Sequence, residues 1–210
     1  MNNIPEKSVK LFVDETCSKA PVPGGGGIAA LTGSLGAALS GMVCYLTTGK
    51  KKYACYEEDI QRILKEAERL KDDLLSEIDK DAENFLPLSK CYGLPAETEE
   101  EKKIKDEKMQ AALKQAVAAP VEIVKLSYKT ILLHEELKEK GSKIAISDVG
   151  CGVLAAKAAM EMGWLNTVIN LKSIKDKDFT ENIKKELLPL IEEGSIIADK
   201  TYKDVLTQLS

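Results

Sequence analysis

The sequence predicts an all-α fold: one orthogonal or up-down helical bundle domain of about six helices, spanning residues 1–210. Three observations carry this. Ala, Leu, Lys and Glu dominate a chain that is 30% charged and only 5% aromatic, a mixture that favours helices over a sandwich. Apolar residues recur at three- and four-residue steps along most of the chain. No stretch alternates as a strand would, and none reads as a low-complexity linker. At 210 residues the chain can bury a real core.

The first element is a short amphipathic helix striped by Val9, Phe12 and Val13, ending before Pro21 and Pro23. The second is expected to start after the glycines of "PVPGGGG" (21–27). One of its faces is large and apolar, with Ile28, Leu31, Leu35, Leu39, Met42, Val43 and Leu46. Another has almost no side chain, with Ala29, Gly33, Ala37, Ser40, Gly41 and Cys44. Residues 20–49 carry no charge, so this helix is either central in a bundle or in a membrane. Its many Gly, Ala, Ser and Thr residues make it only modestly hydrophobic, which favours the buried setting.

A third helix runs from about Glu57 to about Tyr92, striped by Ile60, Ile63, Leu70, Leu74, Ile78 and Phe85. Pro87 should kink it, and Gly93 and Pro95 stop it. Thr98 with Glu101 forms a capping box for a fourth helix reaching about Lys140, bent by Pro120. Ser147 or Asp148 is expected to cap a small-residue helix that Gly163 interrupts. Asp178 with Glu181 is expected to cap the last helix.

The net charge of −4 gives no reason to expect a nucleic-acid surface. Five scattered cysteines without a CxxC pair read as reduced thiols, buried or semi-buried, in a cytoplasmic protein. One histidine and no clustered cysteines leave no basis for a protein-built metal site. That histidine, His134 in "LLHEELKEK", reads as a surface or helix-end residue.

Asp81 is the most informative residue. At about 100° per residue it falls in the middle of the stripe made by Leu74, Ile78 and Phe85, with Asp79 at the edge. A carboxylate on an apolar face is costly unless paired, protonated or lining a cavity. It is either half of a buried salt bridge or an active-site acid or base.

Gly24, Gly25 and Gly26 offer either a tight helix entry or bare backbone N–H groups for a ligand. The run also matches GxGxxA, but "DETCSKAPVP" before it is no strand, so a dinucleotide site is rejected. Lys50, Lys51 and Lys52 suit a helix C-terminus, or the carboxylates of a substrate tail. Asn166 and Asn170, four apart in an apolar segment, could cap a neighbouring helix, bond each other or read a heterocycle edge.

Together these pieces resemble the cyclodeaminase/cyclohydrolase family of folate enzymes. The resemblance runs nearly end to end. It comprises "PVPGGGG", "TTGKKKY", "DKDAENF", "AVAAPVEIV", "SDVGCGVLAAKAAMEMG" and "NTVINL" in order. It departs at Gly27, where relatives often carry Ser.

The resemblance implies an all-helical domain that dimerises through helices, with the folate site associated with subunit packing. It implies a catalytic aspartate in "DKDAENF", matched to Asp81 with Asp79 second. It also implies catalysis at the level of 5,10-methenyltetrahydrofolate. The enzyme would hydrolyse that compound to the 10-formyl form, or make it from 5-formiminotetrahydrofolate with loss of ammonia. The expected partners are a tetrahydrofolate derivative, possibly polyglutamylated, and a second copy of the chain or a higher multiple. No cofactor beyond the folate substrate, no nucleic acid and no membrane is expected. The competing expectation is a non-catalytic helical scaffold or membrane-associated oligomer using the same small-residue faces.

Overall fold

The computed structural model describes residues 3–210, and among them every regular element is helical. Seven α-helices follow in order: α1 (Val9–Thr16), α2 (Gly25–Tyr45), α3 (Glu57–Tyr92), α4 (Glu99–Ala116), α5 (Ala118–Lys140), α6 (Ile146–Leu171) and α7 (Lys177–Leu209). Short 3-10 turns sit at Ile4–Glu6, Lys51–Tyr56 and Lys143–Ala145.

Local chemistry explains most boundaries. Ser8 caps α1 by accepting from the Leu11 amide. Thr98 and Glu101 close the capping box of α4 in both directions. The single fourth helix expected through Lys140 is instead two, parted at Val117. Pro120 has no N–H and its ring crowds the carbonyl four residues back, so the ladder fails there. Gly163 does not interrupt α6. It lies against α5, where a Cβ would come within 3.0 Å of Val124 and 3.3 Å of the Pro120 carbonyl. The caps also differ from those expected. Ala145 precedes α6 without a side-chain cap, and Asp176, not Asp178, caps α7 through the Phe179 amide at 3.0 Å.

α2 is the central helix, and its faces are inverted relative to ordinary amphipathicity. The small-residue face is the buried one: Ala29, Gly33, Ala37, Ser40, Gly41 and Cys44 all lie inside. α6 runs antiparallel along it. Gly33 faces Ala159, and a Cβ on Gly36 would stand 3.0 Å from the Gly152 carbonyl, so here the two backbones nearly touch. The stripe of α3 (Ile60, Ile63, Leu70, Leu74 and Ile78) closes the same core. The large face is only partly covered: Val43 is buried and Ile28 and Leu31 pack against the core, while Leu35 is 56% and Met42 48% exposed. α2 is the one described helix long and apolar enough to cross a membrane, yet α3, α5 and α6 pack on it.

His134 is not at the surface. It is fully buried at the junction of α5, α2 and α6, with Nε2 3.0 Å from the Gly36 carbonyl and 2.9 Å from Ser40 Oγ. A Cβ on Gly152 would overlap its ring. Burial pushes its pKa down to about 4, against the raising effect of the Gly36 carbonyl. All five cysteines are free, with Cys44 and Cys91 buried and Cys17, Cys55 and Cys151 exposed.

Candidate active site

A cavity of about 280 Å³ opens where the first turn of α2 meets the second half of α3 and the end of α6. Gly24, Gly25 and Gly26 form one wall, Asp81 stands beside them, and Asn166 and Asn170 face it from α6. Three of the groups singled out in the sequence thus converge, although they come from segments about 55 to 145 residues apart.

The glycine run is not a hinge ahead of the helix. Gly25, Gly26 and Gly27 are the helix's first turn, and the Ile28 amide already bonds the Gly24 carbonyl at 3.0 Å. Gly24 supplies no side-chain cap, so the first amides have no partner within the helix. Asp81 reaches over from α3 to lie on them. A Cβ on Gly26 would overlap the whole Asp81 carboxylate, and one on Gly25 would sit 3.0 Å from Asn166 Nδ2. The bareness of the turn is what lets both side chains rest on the backbone.

Burial raises the Asp81 pKa to about 6. The Gly27 amide pulls it back, and Glu77, one turn away on α3, pushes it further up. Glu77 is itself only 3% exposed and bonds Lys80 Nζ at 2.6 Å. Burial raises the pKa of Glu77 as well, with Lys80 opposing. Among the described residues Asp81 has no salt-bridge partner, and its carboxyl changes charge at about pH 6.

The asparagines neither cap a neighbouring helix nor bond each other's side chains. Asn166 Nδ2 donates to the Met162 carbonyl at 2.8 Å, and Asn170 Nδ2 donates to the Asn166 carbonyl at 2.9 Å. Each asparagine keeps its amide oxygen and a second N–H on the cavity side of that bond.

Two expectations separate from the site. Asp79 accepts from the Ile4 amide at 2.9 Å, fastening the N-terminal turn to α3, and does not line the cavity. Lys50, Lys51 and Lys52 follow the far end of α2, about 30 Å away for a helix of this length. Lys50 there donates to Ser142 Oγ at 3.3 Å, and Lys52 lies over the Tyr53 ring. A single chain does not bring these lysines to Asp81.

The sequence reading missed the apolar part of the lining. Phe85, Leu88 and Tyr92 continue the Asp81 stripe at steps of four, three and four. That spacing was available but looks the same as core packing. Leu113, Ala116 and Pro120 come from α4 and α5, and only the fold reveals them. Among the described residues, no three His, Cys, Asp or Glu side chains group as metal ligands would.

Comparison with known proteins adds the following. Residues 8–188 match the family model described as formiminotransferase-cyclodeaminase. The chain is 39% identical over 204 residues to a methenyltetrahydrofolate cyclohydrolase of Methylorubrum extorquens, covering 97% of this chain and 98% of that protein. It is 29% identical over 189 residues to the formimidoyltransferase-cyclodeaminase of Rattus norvegicus, of which it spans 35%. A crystal structure of formiminotetrahydrofolate cyclodeaminase from Thermotoga maritima superposes with a TM-score of 0.81 at 29% identity, over 98% of this chain and 97% of that one.

Proposed function

The chain belongs to the formiminotransferase-cyclodeaminase family, and on that premise we propose a folate one-carbon enzyme acting at the level of 5,10-methenyltetrahydrofolate, with Asp81 as its acid–base residue. One observation carries the reading. Among the described residues Asp81 is the only charged one on the cavity; it is largely desolvated and lies on bare backbone with no cationic side chain lining the cavity beside it.

The methenyl group is a cationic amidinium, which such a carboxylate stabilises directly. In the hydrolytic direction water attacks the methenyl carbon and Asp81 takes a proton from it. The tetrahedral carbon then breaks one C–N bond, that nitrogen takes the proton back from Asp81, and the hydroxyl proton leaves to solvent. A formyl group remains on the other nitrogen. In the deaminating direction a folate nitrogen attacks the formimino carbon and gives its proton to Asp81. Asp81 passes the proton to the departing nitrogen, a solvent proton completes ammonia, and the same cation is left. A pKa near 6 suits a residue that must work in both roles.

Gly24, Gly25 and Gly26 would let a flat pterin approach bare backbone, with the oxygens of Asn166 and Asn170 accepting from its N–H groups. The outward stripe of α2 and the exposed Leu154, Leu165 and Val168 of α6 support a homodimer or a multiple of it. Ile169, 63% exposed, belongs both to that face and to the cavity rim, so a second copy would border the site. Lys50, Lys51 and Lys52 enter the reading only there, meeting the glutamate tail of a folate bound to the other copy. Free cysteines, three of them exposed, favour the reducing cytoplasm.

Purified, detergent-free protein should consume methenyltetrahydrofolate faster than buffer does, with formiminotetrahydrofolate assayed in parallel to choose the direction. Failure with both substrates would sink the reading in favour of a helical scaffold.

A further inference from the structure

We propose that the cavity selects its ligand by positive charge, and that Phe85 is a second binding residue for the cation, laying its ring face on the amidinium beside Asp81. This rests on the folate reading and adds a specificity device to it.

No Lys, Arg or His among the described residues lines the cavity, and Asp81 is the one charge. Each side-chain NH₂ of Asn166 and Asn170 gives one of its two hydrogens to a carbonyl of its own helix, which leaves an amide oxygen and one N–H on each. The one fixed positive feature is the N-terminal turn of α2, and the Asp81 carboxylate already lies on it. Every remaining polar group is negative or neutral. A cation therefore gains on entering beside Asp81, whereas an anion meets the carboxylate and no cationic side chain.

Phe85 follows Asp81 by one helical turn, which places the two Cβ atoms about 5–6 Å apart on the same face of α3. The ring is half-buried and packs against the cluster containing Leu88, Leu113 and Ala116, which fixes its position. A held, partly desolvated aromatic face attracts a cation more strongly than an exposed one does. Tyr92, the other aromatic on the cavity, is 61% exposed and contributes less. Hydrolysis converts the cation into a neutral formyl compound, which loses the attraction of both carboxylate and ring. Charge thus distinguishes the ligand that is held from the one that is released.

The test measures binding in the Asp81→Asn background, where turnover is slowed at least ~10²-fold. 5,10-Methenyltetrahydrofolate is the cationic probe and 5-formyltetrahydrofolate the neutral one. Adding Phe85→Leu should raise the Kd of the cation about 3- to 30-fold and that of the neutral folate less than about twofold. Phe85→Trp, with a stronger π face, should keep the preference and serves as the control if the Leu protein folds poorly. Equal weakening of both probes by Leu, or loss of the preference in the Trp protein, would overturn the role of Phe85 while leaving the folate reading intact. If wild-type protein converts neither folate, the folate reading fails and this inference with it.

Discussion

Replacing Asp81 with Asn should make the protein more stable while nearly abolishing activity. The folded carboxyl keeps its proton up to about pH 6, whereas an ordinary aspartate releases it near 3.8. Between those values the folded state holds more protons than the unfolded one, so stability falls as pH rises. The contribution is complete below 3.8 and gone above the folded pKa. The gap corresponds to about 3 kcal/mol carried by the ionised group at about pH 8, of which about a third remains at about pH 4.5. Asn fills the same space without charge, and its weaker bond to the Gly27 amide returns about 1 kcal/mol of that gain. The net expectation is about 2 kcal/mol of added stability at about pH 8, or about 4–8 °C in Tm for a chain of this size. Calorimetric melts of both proteins at the two pH values, alongside turnover of methenyltetrahydrofolate, measure it. Turnover should fall at least ~10²-fold. An Asn protein that melts below wild type at about pH 8, or whose shift is the same at both pH values, would refute the reasoning: the carboxylate would then be a structural anchor.

Other outcomes follow from the same geometry. Gly26→Ala should displace the Asp81 carboxylate, lowering kcat/KM about 10²-fold or more in a protein that still folds; near-normal kinetics would mean the contact is unimportant. In the hydrolytic direction kcat/KM should rise with pH through a limb near 6 as Asp81 ionises, and the residual rate of Asp81→Asn should lack that limb. Leu35→Lys together with Met42→Lys should convert a dimer into monomers by light scattering; wild-type protein that is monomeric at micromolar concentration would remove the shared site. Changing Lys51 and Lys52 to Gln should leave monoglutamate kinetics alone and raise KM for polyglutamylated folate, an effect that added salt shrinks. Unchanged KM for both would reduce the cluster to a solvated helix end.

The sequence made some of this legible and hid the rest for definite reasons. Asp81 stood out because a carboxylate centred on an apolar stripe contradicts its surroundings, and no alternative helix phase removes the contradiction. α3 was legible from about Glu57 to about Tyr92, with Pro87 inside it and Gly93 at its end. Periodicity shows which residues of α2 share a face but not which face turns inward. The bulky face was the natural core by size, yet the fold buries the glycine face because α6 offers an equally bare partner. His134 was misread from its charged neighbours; Ile131, Leu137 and even Lys138 around it are buried, with Lys138 paired to Asp204 at 2.8 Å. The cavity's far wall belongs to α4 and α5, whose meeting with α3 no local pattern announces. Lys50, Lys51 and Lys52 drew attention as a basic cluster, but distance along a rigid helix is a tertiary fact.

The bare face of α2 also bears on the order in which the chain folds. Gly25, Gly26, Gly27, Gly33, Gly36 and Gly41 each cost about 1 kcal/mol of helix propensity relative to Ala, so the segment has little tendency to coil on its own. Part of its compensating contact lies with Leu64, Leu74 and Ile78 of α3, and the rest with residues such as Ala156, Ala159 and Asn166, more than a hundred positions later in the chain. On a ribosome α2 would emerge early and wait. The expected sequence is that α3, α5 and α6 associate first and α2 becomes helical only on entering the slot between them. Substitutions at Ala29 or Ala37 should then speed unfolding while barely slowing refolding; a large loss of refolding rate would show that α2 is part of the nucleus. The first turn, richest in glycine, would be the last to order, and the cavity beside Asp81 would be assembled at the end.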